Sequence, residues 1–131
     1  MKQLTRAALL ATALVLTACG GGDGGGDAGE SAAGAVTATG PADAQVVEVV
    51  SNDQIEFEPA TVNAKVGTLT LTHRNGGSIP HNLVFSDKSL GGTETLSGGK
   101  EEAITLTFQE PGTYDFVCTI HSGQDGKVVV S

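Results

Sequence analysis

The chain has 131 residues, with 15 acidic side chains against 7 basic ones and a formal net charge of −8. No basic stripe runs through it, which argues against a nucleic-acid grip and against electrostatic adhesion to anionic lipid, since both need clustered Lys and Arg. Aromatic residues make up only 4% and tryptophan is absent, so any core must rest largely on Val, Leu and Ile.

At the amino terminus, Lys2 and Arg6 lead into an apolar run from Ala7 to Leu16, which ends in Leu16-Thr17-Ala18-Cys19. A basic start, a short apolar stretch and small residues form the pattern of an export signal, and the run is shorter than the ~20 residues a membrane-crossing helix needs. The last four residues resemble the cleavage motif of bacterial lipoproteins. On that resemblance residues 1–18 are removed, and Cys19 becomes a lipid-carrying tether on the extracytoplasmic side, periplasmic or extracellular. Residues 20–44 are mostly Gly, Ala, Ser and Thr, with little that is bulky to bury, so 19–44 is expected to be a tether with a flexible linker. Residues 45–131 suffice for one small domain, expected to be monomeric.

Within that domain the pattern has a period of two. Leucine alternates with threonine in Thr68-Leu69-Thr70-Leu71-Thr72-His73, and the apolar set alternates again in Ala103-Ile104-Thr105-Leu106-Thr107-Phe108. Each predicts an antiparallel strand with threonine facing out. Further strands are predicted at 46–50, 61–64, 82–85, 113–118 and 127–130, and no segment has a helical period. Gly67, Asn75-Gly76-Gly77, Gly91-Gly92, Gly98-Gly99 and Pro111-Gly112 mark the turns; Pro-Gly suits a type II turn with positive φ at Gly112. Short strands punctuated by glycine turns predict an all-β sandwich.

The chemistry gathers in two loops. By alternation Tyr114, Phe116 and Cys118 share a face, so the thiol emerges on the buried side where its strand ends. His121 follows after two residues, a spacing that lets one tight turn aim a thiolate and an imidazole at one point, and Gln124 repeats the interval. The second loop, Asn75-Gly76-Gly77-Ser78-Ile79-Pro80-His81-Asn82, places a histidine behind a proline at the entrance to a strand. One Cys, two His and a weak axial group form the blue-copper donor set.

Three segments resemble the cupredoxin family, in its plastocyanin-like and amicyanin-like branch. Phe57-Glu58-Pro59-Ala60-Thr61-Val62 with Val66-Gly67 resembles the family's opening, Pro80-His81-Asn82 its first ligand loop, and Pro111-Gly112-Thr113-Tyr114 through Cys118 and His121 its second. The resemblance implies a Greek-key sandwich and one type 1 copper ion held by His81, Cys118 and His121. It also implies that Asn82 ties the two ligand loops together. Where the family usually has an axial methionine, this chain has none outside Met1, so Gln124 is the axial candidate. An amide oxygen is a harder donor than a thioether and favours Cu(II). The tyrosine that typically precedes the cysteine in plastocyanins is Val117 here, which directs electron transfer to the edge of His121.

Other readings of these residues are weaker. A lone buried cysteine is usually inert, but an unpaired thiol in an exported protein is open to oxidation unless something occupies it. Structural zinc wants a closed set of four ligands, and a Cys-His nucleophile needs an orienting group and an oxyanion site; neither is visible. His73, at the end of an alternating strand, reads as a hydrogen-bonded structural residue and a reserve ligand. The function these residues predict is non-enzymatic electron transfer through Cu(I)/Cu(II) to a redox protein partner. Membrane contact is through the lipid anchor alone. The alternatives are copper storage or delivery, and a metal-free module that binds a partner.

Overall fold

The computed structural model describes residues 34–131; the export signal, Cys19 and the first part of the expected linker lie outside them. Nine strands are described: β1 (Ala35–Thr37), β2 (Gln45–Ser51), β3 (Phe57–Glu58), β4 (Thr61–Ala64), β5 (Gly67–Asn75), β6 (Val84–Phe85), β7 (Glu101–Phe108), β8 (Gly112–Val117) and β9 (Asp125–Val130). No helix occurs among the described residues. The strands form two sheets, one in the order β1-β4-β9-β8-β6 and the other β3-β2-β5-β7.

Alternation places one face of each strand inside. In β5, Leu69, Leu71, His73 and Asn75 are buried while Thr68, Thr70 and Thr72 are only partly covered. In β7, Leu106 and Phe108 point inward against exposed Thr105 and Thr107. Phe116 is the centre of the core, edge-on to Phe57 at 5.1 Å and to Phe85 at 5.6 Å between ring centroids. Such aromatic pairs add about 0.5–1.5 kcal/mol each beyond the area they bury. Around them pack Val49, Val62, Leu83, Val128 and Val130, so aliphatic residues make up most of the interior, as the composition requires.

The sheets are mixed rather than antiparallel throughout. β5 pairs antiparallel with β7 but parallel with β2, and β4 pairs parallel with β9. Alternation reports which face is buried and is blind to the direction of the neighbouring strand. Two further expectations need correction. Ala35–Thr37, inside the stretch expected to be linker, forms β1, parallel to β4 from Ala35↔Thr61 to Thr37↔Asn63, and Ala38 packs on the core. Gly112 does not take the positive φ of a type II turn; it opens β8 opposite Val130, so ladder pairing sets its backbone.

Candidate metal centre

Strands β8 and β9 form a hairpin whose last pair is Val117↔Asp125, so residues 118–124 are the connecting loop at one end of the sandwich. The loop is closed by backbone bonds: Cys118 N–H donates to Gln124 O at 2.9 Å and Gln124 N–H to His121 O at 3.4 Å. Cys118 continues the inward face of Phe116, is 4% exposed and carries a free thiol. His81 arrives from the β5–β6 connection and is fully buried, its backbone paired both ways with Leu96 at 3.1 and 2.7 Å. His121 is half-buried.

The donor atoms of His81, Cys118 and His121 lie within 4.8 Å of one another, the one such group among the described residues. The imidazoles of His81 and His121 are 4.8 Å apart between centroids. The His121 Nε2–H donates to Pro80 O at 2.9 Å; since a carbonyl only accepts, Nε2 carries a proton and Nδ1 is the nitrogen left to act as a donor to a metal. His81 Nδ1 is 2.8 Å from Gln124 Oε1. Its Nε2 is the one buried side-chain nitrogen or oxygen with no hydrogen-bond partner among the described residues. A buried polar atom left unpaired costs about 1–3 kcal/mol; it is the Nδ1 edge of this ring, not Nε2, that faces Gln124.

Gln124 is 1% exposed, far from the solvated state usual for a loop glutamine, and its Nε2 donates to Glu56 O at 3.1 Å. Asn82 Nδ2 donates to Thr119 Oγ1 at 2.7 Å, and Asn82 Oδ1 accepts from Thr119 N–H at 2.8 Å. This reciprocal pair joins the residue after His81 to the residue after Cys118. His73 stands apart from the donor group. It is fully buried, with Nε2 3.0 Å from Ser51 Oγ and Nδ1 3.1 Å from Thr93 Oγ1. Burial, with a smaller contribution from the charge of His81, pushes its pKa down to about 4.

Two residues that carry the first ligand loop are not identified as such by the sequence. Asn75 is buried; its Nδ2 donates to Ile79 O at 2.7 Å and Leu96 O at 2.8 Å, and its Oδ1 accepts from Gly77 N–H at 2.9 Å. Its place in an Asn-Gly-Gly turn was the only hint. Asp53 reaches the same loop from far along the chain, where no local pattern can point to it.

One soft thiolate, two imidazoles and a nearby amide oxygen suit copper, with imidazole and thiolate both among its preferred donors. The family model for the cupredoxin-like domain matches residues 8–130. The chain is 42% identical over 85 residues to amicyanin from Paracoccus denitrificans, a match spanning 63% of each protein. It is 36% identical over 111 residues to chloroplastic plastocyanin from Hordeum vulgare, covering 76% of this chain and 71% of that one. Its fold is similar to a solved reduced Cu(I) form of an amicyanin variant, with a TM-score of 0.50 and 32% identity over 66% of this chain and 82% of that one. On the family match and the plastocyanin relative together, the chain belongs to the cupredoxin-like family.

Proposed function

We propose that the chain is an extracytoplasmic electron carrier in which His81, Cys118 and His121 hold one type 1 copper ion, with Gln124 as the axial group and Cys19 as a lipid anchor. The observation that carries this reading is the convergence of the three donor atoms within 4.8 Å at the loop end of a rigid sandwich. Family membership supports electron transfer without catalysis. The extracytoplasmic placement and the anchor rest on residues 1–19 alone.

Copper bound there supplies a one-electron couple between Cu(I) and Cu(II). The chain's own residues hold the donors. Cys118 presents its sulfur from the end of β8, and the bond between Thr119 and Asn82 keeps the cysteine loop and the His81 loop in register. Groups held this firmly move little when charge changes, which favours rapid exchange of an electron. Full burial of His81 and near-full burial of Cys118 and Gln124 keep these three donors away from solvent. His121 is the partly exposed donor, beside exposed Pro80 and Ile120, the latter 45% exposed. Its edge is the route for the electron to and from a redox protein, because Val117 offers no aromatic ring for a second route.

The test is voltammetry of the copper-loaded chain. A reversible one-electron couple that survives competition by a chelator is expected. Loss of the metal to the chelator with no reversible couple would move the assignment to copper storage or delivery.

A further inference from the structure

The segment joining β2 to β3, residues 52–56, contributes no metal donor yet holds both sides of the site. Asp53 Oδ1 accepts from the backbone N–H of Ser78 at 2.7 Å and of Ile79 at 3.2 Å, and Oδ2 accepts from the Ser78 hydroxyl at 2.9 Å. These bonds grip the loop that runs on into Pro80 and His81. The approach is close enough that a Cβ on Gly77 would lie 2.2 Å from Asp53 Oδ1, so only glycine fits there. The Ser78 amide first, then the Ile79 amide and the Ser78 hydroxyl, hold the Asp53 carboxyl below the usual carboxylate range.

Further along the same segment, Glu56 O accepts from Gln124 Nε2 at 3.1 Å. That contact decides which end of the amide faces the donors. With Nε2 committed to a carbonyl, Oε1 is the end left 2.8 Å from His81 Nδ1; a flipped amide would set two acceptors against each other.

The segment is braced by its own bonds. Asn52 Oδ1 accepts from Gln54 N–H at 3.0 Å and Glu56 N–H at 3.2 Å, and Asn52 Nδ2 donates to Glu58 Oε1 at 2.7 Å. Ile55 sits at φ 64°, a left-handed conformation that a β-branched residue keeps only where its surroundings over-determine it.

The geometry points to residues 52–56 as a clamp that positions the metal site from outside it, Asp53 fixing the His81 loop and the Glu56 carbonyl aiming Gln124 Oε1 at the donors. This rests on reading His81 and Gln124 as parts of a copper site. Asp53 and Asn52 are positioning residues.

The experiment compares Asp53→Ala, Asp53→Asn and Asn52→Ala in the full chain. In the metal-free protein, amide hydrogen exchange at Ser78 and Ile79 should quicken about tenfold in Asp53→Ala, the equivalent of one lost hydrogen bond. Asp53→Asn should restore it, because an amide oxygen can still accept from both N–H groups. In the copper-loaded protein, Asn52→Ala should alter the copper hyperfine splitting while copper still binds one to one. The same change made on a Gln124→Met background should have a smaller effect. Unchanged exchange in Asp53→Ala, or a hyperfine splitting indifferent to Asn52→Ala, overturns the clamp. Failure of the wild-type chain to bind copper would instead sink the functional reading, and the exchange data would still judge the grip of Asp53.

Discussion

His73 makes the stability of the metal-free protein depend on pH by a predictable amount. Its ring is fully buried between two hydroxyls. Thr93 Oγ1 already accepts from Leu83 N–H at 3.0 Å, so its own proton is free to donate to His73 Nδ1 while Nε2–H donates to Ser51. That pattern suits the neutral ring; a proton on Nδ1 would remove the acceptor to which the Thr93 hydroxyl donates. With a folded pKa of about 4 against the ordinary 6.5, the unfolded chain binds more protons between those values. Stability is therefore fully present above pH 6.5 and is lost as pH falls towards 4. The gap of about 2.5 pH units, at 1.36 kcal/mol per unit, sets the loss at about 3 kcal/mol. Urea unfolding of the metal-free chain at pH 7 and pH 4 measures it, with His73→Gln as the control that keeps a polar side chain and removes the titration. The wild type should lose about 3 kcal/mol more than the variant over that interval. Equal losses in the two proteins would refute the reasoning, since every other titrating group is common to both.

Two further substitutions probe the core and the site. In Gly126→Ala the new Cβ would lie 2.4 Å from Phe116 Cε2 and 2.8 Å from Ala60 O. Overpacking of that kind costs about 1–3 kcal/mol, and a midpoint in urea unchanged from wild type would contradict it. Gln124→Met replaces a harder amide oxygen with a thioether and should raise the reduction potential of the copper-loaded protein. An unchanged potential and spectrum would mean that Gln124 is not at the metal.

The core strands were legible because a half-buried strand writes its burial directly into alternate residues. Leu69 and Leu71 in β5 and Leu106 and Phe108 in β7 fall inside as their spacing predicts. The convergence of His81, Cys118 and His121 was legible because the interval from Cys118 to His121 sits in one hairpin loop and Pro80 marks the other. β1 escaped notice for a physical reason: its small residues are held by ladder bonds to β4 rather than by side-chain burial of their own. The predicted strand at 82–85 begins at Val84; Leu83 N–H donates to the Thr93 hydroxyl and not to a neighbouring strand. Buried polar residues were the hardest to read. Gln45 is 1% exposed and bonds to Ala42 O, Lys65 O and Lys65 N, and Asp53 finds its partners 25 and 26 residues away. Such contacts exist only once the strands have brought distant loops together.

The most direct test of the copper assignment is the visible absorption and electron paramagnetic resonance spectrum of the chain loaded with one equivalent of Cu(II). A thiolate-to-copper charge-transfer band of high intensity is expected, together with the narrow hyperfine splitting of a thiolate-bound site, and Cys118→Ser should abolish both while leaving the fold intact. A colourless protein holding stoichiometric Cu(II), or a spectrum that survives Cys118→Ser, would contradict the account.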